Sequence, residues 1–205
     1  MQDAPSLIVG LGNPGAEHAR DRHNIGYWFV DDLASGLGAR FSAQQKLLGQ
    51  ACLATLRQLP VRLLKPTTFM NRSGQSVRQT MDYYKVPAER VLVIHDDLDL
   101  PAGTARLKRG GGHGGHNGLR DIIAHCGREF MRLRLGIGHP GRREQVVGFV
   151  LHPPGKDELL KLEDAIHAGR RALEVLCDEG LGAAMKNLHT VTSPNDVTND
   201  SGPAG

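Results

Sequence analysis

Short apolar runs that break off abruptly into Gly, Asn, His or Asp punctuate this chain, and they restrict its fold more than any other feature. The first, Ser6 to Leu11, is partly β-branched and stops at Gly12-Asn13-Pro14-Gly15, and the strongest, Val91 to Ile94, stops at His95-Asp96-Asp97. Runs of this length bounded by turn residues read as strands buried on both faces. Between them the periodicity becomes helical. Ile25, Trp28, Phe29, Leu33 and Leu37 recur at three and four residues behind an expected N-cap at Asn24, and Gly36 and Gly38 mark the end. Ser73 to Tyr84 has the same spacing through Val77, Met81 and Tyr84.

Ala51 to Leu56 and Val61 to Leu64, with Arg57 to Pro60 between them, predict a hairpin, and Thr104 to Lys108 and Met131 to Ile137 predict further strands. The glycine-rich Gly110 to Gly118 and a short helix at Leu119 to His125 separate the last two. A final helix is expected after Pro153-Pro154-Gly155, with Leu159, Leu162, Ile166, Leu173 and Leu176 on one stripe. Alternating strands and helices predict a single-domain α/β sandwich with a central mixed, twisted sheet flanked by helices. That domain is expected over residues 1–191, with the polar, Gly/Pro-rich 192–205 as a disordered tail.

The formal charge of +3 is unevenly placed. Pro101 to Gln145 holds nine Lys or Arg against three acids, a surplus of +6, so the remainder carries −3. A cluster of this kind is what a polyanion-binding surface needs, although a solvated face would look the same. No stretch is long and apolar enough to span a bilayer, and Met1 to Ser6 has no basic segment leading into an apolar one, so a cytoplasmic protein without membrane association is expected. The cysteines, Cys52, Cys126 and Cys177, form no CxxC pair and suggest neither a disulfide framework nor a thiolate zinc site.

Gly10-Leu11-Gly12-Asn13-Pro14-Gly15 satisfies G-x-G-x-x-G after a predicted strand, the fingerprint of a dinucleotide-binding turn. That mechanism requires a helix to begin within the motif and an acid at the end of the following strand. Here the helix is delayed to about Asn24, and the acids at the right distance, Asp31 and Asp32, fall inside it. A glycine loop presenting Asn13 fits better than an NAD or FAD site.

Five polar clusters flank apolar runs: Asn13; Arg22-His23-Asn24; Met70-Asn71; His95-Asp96-Asp97; and His113-Gly114-Gly115-His116-Asn117. Singly, each is as well explained by turns and caps. Together they hold what is needed to activate water and polarise a carbonyl. No G-x-S-x-G elbow or loop cysteine offers a nucleophile, and His95, Asp96, Asp97, Asp99, His113 and His116 lack an established metal-ligand spacing, so direct attack by water without a metal or cofactor is preferred. A non-catalytic RNA-binding module and a nucleotide-dependent oxidoreductase are the competing classes. The first lacks a stacking-aromatic motif in a chain only 4% aromatic.

In order and spacing, the chain resembles the bacterial peptidyl-tRNA hydrolases from Leu7 to about His189. The resemblance runs through VGLGNPG (Val9–Gly15), RHNIG (Arg22–Gly26), KPTTFMNRSG (Lys65–Gly74), HDDLDLPAG (His95–Gly103), GGGHGGHNGLRDI (Gly110–Ile122), RLRLGIGHPG (Arg132–Gly141) and VVGFVL (Val146–Leu151). One departure is Asp97, where many relatives carry Glu; the acid is retained. The resemblance implies His23 as catalytic base and Asp96 as the carboxylate orienting it. It implies Asn13, Asn71 and Asn117 as amides that hold peptide carbonyls and water, with His116 beside them and Met70 in the cleft wall. Lys108 and Arg134 are similar to the family's tRNA phosphate-binding pair, and the helix after Pro154 would border the cleft and help bind the RNA. The implied substrate is peptidyl-tRNA, held by its acceptor end and attached peptide. No cofactor or obligate protein partner is implied, and a monomer is the simplest expectation.

Overall fold

Strand β1 (Leu7–Gly10) lies in the middle of a mixed seven-stranded sheet in the computed structural model, which describes residues 4–191; the expected tail, 192–205, lies outside the described residues. The other strands are β2 (Ser42–Gln44), β3 (Gly49–Leu56), β4 (Leu59–Pro66), β5 (Val91–Asp97), β6 (Ala105–Arg109) and β7 (Met131–Gly136), in the order β2-β3-β4-β1-β5-β7-β6. β4, β1, β5 and β7 run parallel, while β2, β3 and β6 join antiparallel at the two sides. The helices are α1 (Ile25–Gly36), α2 (Ser73–Tyr84), α3 (Asn117–Cys126), α4 (Val146–Val150), α5 (Lys156–Glu179) and α6 (Leu181–Val191).

Side chains alternate between the two faces of each central strand. Ile8, Leu92 and Ile94 pack with Phe29 and Leu33 of α1 and Leu162, Leu173 and Leu176 of α5. Leu7, Val9, Val91 and Val93 pack with Val77 and Met81 of α2 and Leu119 and Ile122 of α3. Both faces of β1 and β5 are therefore covered, which is why these strands read as unbroken apolar runs rather than alternating ones.

The glycines of the fingerprint serve packing. A Cβ on Gly10 would lie 2.2 Å from the Gly26 carbonyl oxygen, and one on Gly26 would lie 2.4 Å from the Leu11 nitrogen and 2.5 Å from the Ile94 oxygen. Two missing side chains let the first turn of α1 sit directly on the ends of β1 and β5. Asn24 precedes α1 but does not cap it through its side chain. Its amide instead brackets Asn13, accepting from the Asn13 N–H at 2.8 Å and donating to the Asn13 carbonyl at 2.9 Å. The expected cap is a loop clamp, because the delayed start of α1 puts Asn24 against the β1 loop.

The hairpin turn is tighter than expected, since β3 and β4 extend to Leu56 and Leu59 and leave only Arg57 and Gln58, at φ 46° and 63°. β2, α4 and the break that separates α6 from α5 at Gly180 add elements the apolar periodicity did not reveal. Gly26→Ala should lower stability by about 1–3 kcal/mol, as overpacking of a close contact does, read as a shift in the urea midpoint with an unchanged slope.

Candidate active site

The polar clusters converge because each follows a parallel strand or opens the next helix, so they share the carboxyl-terminal edge of the central sheet, where α/β folds present ligand sites. Asn13 follows β1, a 3-10 turn at Arg22–Asn24 leads into α1, Met70 and Asn71 lie in a 3-10 turn between β4 and α2, His95–Asp97 end β5, and Asn117 begins α3. They line an open cleft of about 740 Å³ together with the apolar Phe69, Val146, Val147, Val150 and Leu151. All nine residues expected at the site, including Lys108 and Arg134, line it.

Its centre is the Asp96 carboxylate, only 3% exposed. His23 Nδ1 lies 2.9 and 3.0 Å from its two oxygens, and His116 Nε2 lies 3.0 Å from Oδ1. The tautomer of His116 follows from its other nitrogen. His116 is the N-cap of α3, and its Nδ1 accepts from the Gly118 and Leu119 N–H groups at 3.1 and 3.3 Å, so its proton is on Nε2 and is donated to Asp96. The contact of His23 Nδ1 with both carboxylate oxygens likewise assigns the proton to Nδ1. Nε2 of His23 is then the basic nitrogen, with no hydrogen-bond partner among the described residues.

Burial by itself would raise the Asp96 pKa, but the charges and hydrogen bonds of His23 and His116 outweigh it and hold the carboxyl well below its ordinary value. For His23, burial acts to lower the pKa, and the charge and hydrogen bond of Asp96, with a smaller contribution from Asp21, carry it above 6.5. His95 sits behind the pair. Its Nδ1 donates to the Asp96 carbonyl at 2.7 Å, and its ring meets that of His116 edge-on at 5.1 Å. Burial, reinforced by His116, pushes His95 down to about 3, so it is neutral at physiological pH.

The amides differ in how firmly they are held. Asn13 Oδ1 accepts from the Met70 N–H at 2.8 Å, which orients the amide and leaves Nδ2 as the available donor. Asn117 Oδ1 accepts from Arg120 at 3.0 Å, whereas Asn71 is exposed at the rim. Arg134, which also lines the cleft, donates to Asp97 at 2.7 Å. Burial, then the charges of Arg134 and Arg132, hold the Lys108 ammonium below its usual range, the mark of a crowded cationic corner.

Of the potential metal ligands weighed from sequence, only Asp96 and His116 come together, and His23 rather than His95 or His113 completes the group. Nitrogen protons already occupy the space between these three, so a cation there would have to displace both.

Two arginines take roles that the sequence did not assign them. Arg22 makes a bidentate pair with Glu158 at 2.6 and 2.7 Å and donates to the Phe149 and His152 carbonyls, fastening the α4 segment beside His23. That pair is how α5 reaches the site; the expectation that this helix borders the cleft is not met, since no α5 residue lines it. Arg132, 2% exposed, donates to the carbonyls of Gly111 and Gly112. A basic residue in a strand that otherwise reads as core was the available signal for it.

The model of the peptidyl-tRNA hydrolase family matches residues 7–196. The chain is 52% identical over 192 residues to a peptidyl-tRNA hydrolase of Teredinibacter turnerae, covering 93% of this chain and all of that protein, and 50% identical over 189 residues to one of Salmonella heidelberg, covering 91% and 97%. The crystal structure of peptidyl-tRNA hydrolase from Acinetobacter baumannii overlays with a TM-score of 0.89 at 45% identity, covering 92% of this chain and 96% of that one. A purine nucleoside phosphorylase of Toxoplasma gondii overlays at a TM-score of 0.52 and 8% identity, a likeness of fold alone. Sheet, cleft and comparisons define a hydrolase built on an α/β sandwich. Within that class, the chain belongs to the peptidyl-tRNA hydrolase family.

The raised pKa of His23 has a stability sign. The stabilisation it contributes is complete below 6.5 and is lost as pH rises through the higher folded value. In Asp96→Asn, burial is opposed only by the smaller contribution of Asp21, so the His23 titration followed by NMR should move from above 6.5 to below it. An unmoved titration would remove Asp96 as its cause.

Proposed function

We propose that this hydrolase cleaves the ester between a peptide, or an N-acylated aminoacyl group, and the 3′ ribose of tRNA, using water activated by His23. The observation that carries this reading is the Asp96–His23 hydrogen bond, which commits Nδ1 as a donor and leaves Nε2 basic in the cleft that the oriented Asn13 amide also lines. Water gives a proton to Nε2 as its oxygen attacks the ester carbonyl. The imidazolium, stabilised by Asp96, then returns the proton to the departing ribose oxygen. Amide N–H donors stabilise the developing oxyanion and pair with the peptide's carbonyls, so a free aminoacyl group, which lacks the preceding carbonyl, leaves a donor such as that of the buried Asn13 unpaired.

Lys108 and Arg134 hold tRNA phosphate, Asn71, His116 and Asn117 contact substrate, and Met70, buried under Gly118, forms the wall. No metal or cofactor enters the scheme. Among the described residues no helix is long and apolar enough to cross a membrane, which suits a diffusing RNA substrate. The reading takes the chain to act as a monomer in the cytoplasm.

The deciding experiment is release of the acyl group from N-acetylated aminoacyl-tRNA in the presence of a chelator. Wild type should cleave, and His23→Ala should be slower by about 10² to 10⁴; near-normal turnover by the variant would overturn the assignment of the base. For Lys108→Ala and Arg134→Ala, the slope of log affinity for tRNA against log salt should flatten by about 1 each, measured by filter binding, and an unchanged slope would remove that residue from the RNA contact.

A further inference from the structure

Four cations share one face of the β6–β7 ribbon: Lys108 faces Arg132 across the strands, and two residues along Arg106 faces Arg134. They are not equivalent. Arg134 pairs with Asp97, and Lys108 is half-exposed at the cleft, but Arg132 is 2% exposed and forms no ion pair with a carboxylate among the described residues. Its guanidinium stacks over the Phe130 ring at 4.7 Å, and its Nε is buried without a partner. Both terminal nitrogens are spent on backbone, one donating to Gly112 and the other to Gly111 at 2.7 Å.

Burying a cation without a counter-ion is costly and is offset here by the hydrogen bonds that its guanidinium makes to the loop carbonyls. What Gly111 and Gly112 lead into is the stretch His113–Asn117, which has left-handed glycines at Gly114 (φ 55°) and Gly115 (φ 82°) and room for a Cβ at both. Such a loop has little stiffness of its own. Yet its end carries His116, whose Nε2 must stay at 3.0 Å from Asp96, and Asn117 at the cleft.

We propose that Arg132 is a positioning residue for the hydrolytic centre: by gripping the Gly111 and Gly112 carbonyls it holds the glycine loop so that His116 stays on Asp96, and it is not a third phosphate ligand beside Lys108 and Arg134. This rests on the proposed esterase reading. Loss of the grip leaves the RNA-contacting pair in place, so the effect falls on the chemical step rather than on binding.

The test is steady-state cleavage of N-acetylated aminoacyl-tRNA by wild type, Arg132→Met and Arg132→Lys, with tRNA binding measured across a salt series and folding checked by thermal melting. Arg132→Met keeps the bulk and removes the donors; its kcat should fall by about 10², the penalty of a misplaced site, with KM and the salt slope within twofold of wild type. Arg132→Lys, which reaches one carbonyl at a time, should lie between the two. A raised KM with a flattened salt slope and unchanged kcat would overturn the proposal in favour of a phosphate contact. A lowered melting temperature with kcat unchanged in the folded protein would overturn it in favour of a purely structural role. Inactive wild type would instead sink the esterase reading itself, so the two failures are distinguishable.

Discussion

A carboxylate withdrawn from water is the constraint around which the site is arranged. Asp96 is 3% exposed, and an ion so buried costs several kcal/mol unless other groups supply its hydrogen bonds. Two imidazoles do so, from segments 73 residues before and 20 residues after it. Satisfying this one charge therefore requires the end of β5, the turn before α1 and the N-terminus of α3 to meet. The close approach of Gly10 and Gly26 brings the first two together, and the capping role of His116 Nδ1 fixes the third. Each imidazole spends one nitrogen on Asp96, but the other differs. That of His116 is consumed by the backbone, and that of His23 is left at the cleft. The asymmetry arises from where each histidine sits relative to its helix, so the same side chain becomes a structural cap in one place and leaves a nitrogen open to the cleft in the other.

Much of this was legible in the residues, and for a reason that also explains what was not. β1 and β5 are buried on both faces, so burial alone dictates their composition, and their ends mark where side chains can emerge. α1 and α2 carry one apolar face and show the corresponding period. β2 is exposed and polar, α4 has five residues, and the Arg57-Gln58 turn lacks the Asn-Gly or Asp-Gly pair that announces two-residue hairpins. None of these leaves a periodic trace. Spacing alone identified the site residues as clusters, and their separate roles came only from the family resemblance, because those roles depend on hydrogen bonds between distant segments. Asn24 illustrates this: position suggested a helix cap, and only the fold of the preceding loop turns its amide back onto Asn13.

The glycine fingerprint shows how one pattern can answer different physical demands. In a dinucleotide fold, glycines let backbone approach a pyrophosphate. Here Gly10 lets β1 approach the backbone of α1, a Cβ on Gly12 would strike the Tyr27 ring at 2.7 Å, and Gly15, at φ 108°, makes a turn that other residues resist. The spacing is the same and the ligand is the protein itself. The weak likeness to a nucleoside phosphorylase fold fits this separation of scaffold from chemistry, since sheet and helices are shared while the residues at the strand ends are not bound to follow.

The cleft offers the proposed substrate both charged and apolar lining. Lys108 and Arg134, on the β6–β7 ribbon, and the apolar Val146, Val147, Val150 and Leu151 all face it. In the proposed reading the cations favour an RNA backbone, and a peptide's side chains gain from the apolar residues. Asp97 limits the attraction: by engaging Arg134 at 2.7 Å it holds the guanidinium in one orientation and lowers the net charge of the corner. A corner of uncompensated cations would grip any polyanion; a paired arginine beside a lysine below its usual pKa favours a phosphate that arrives in the right place over one that merely passes.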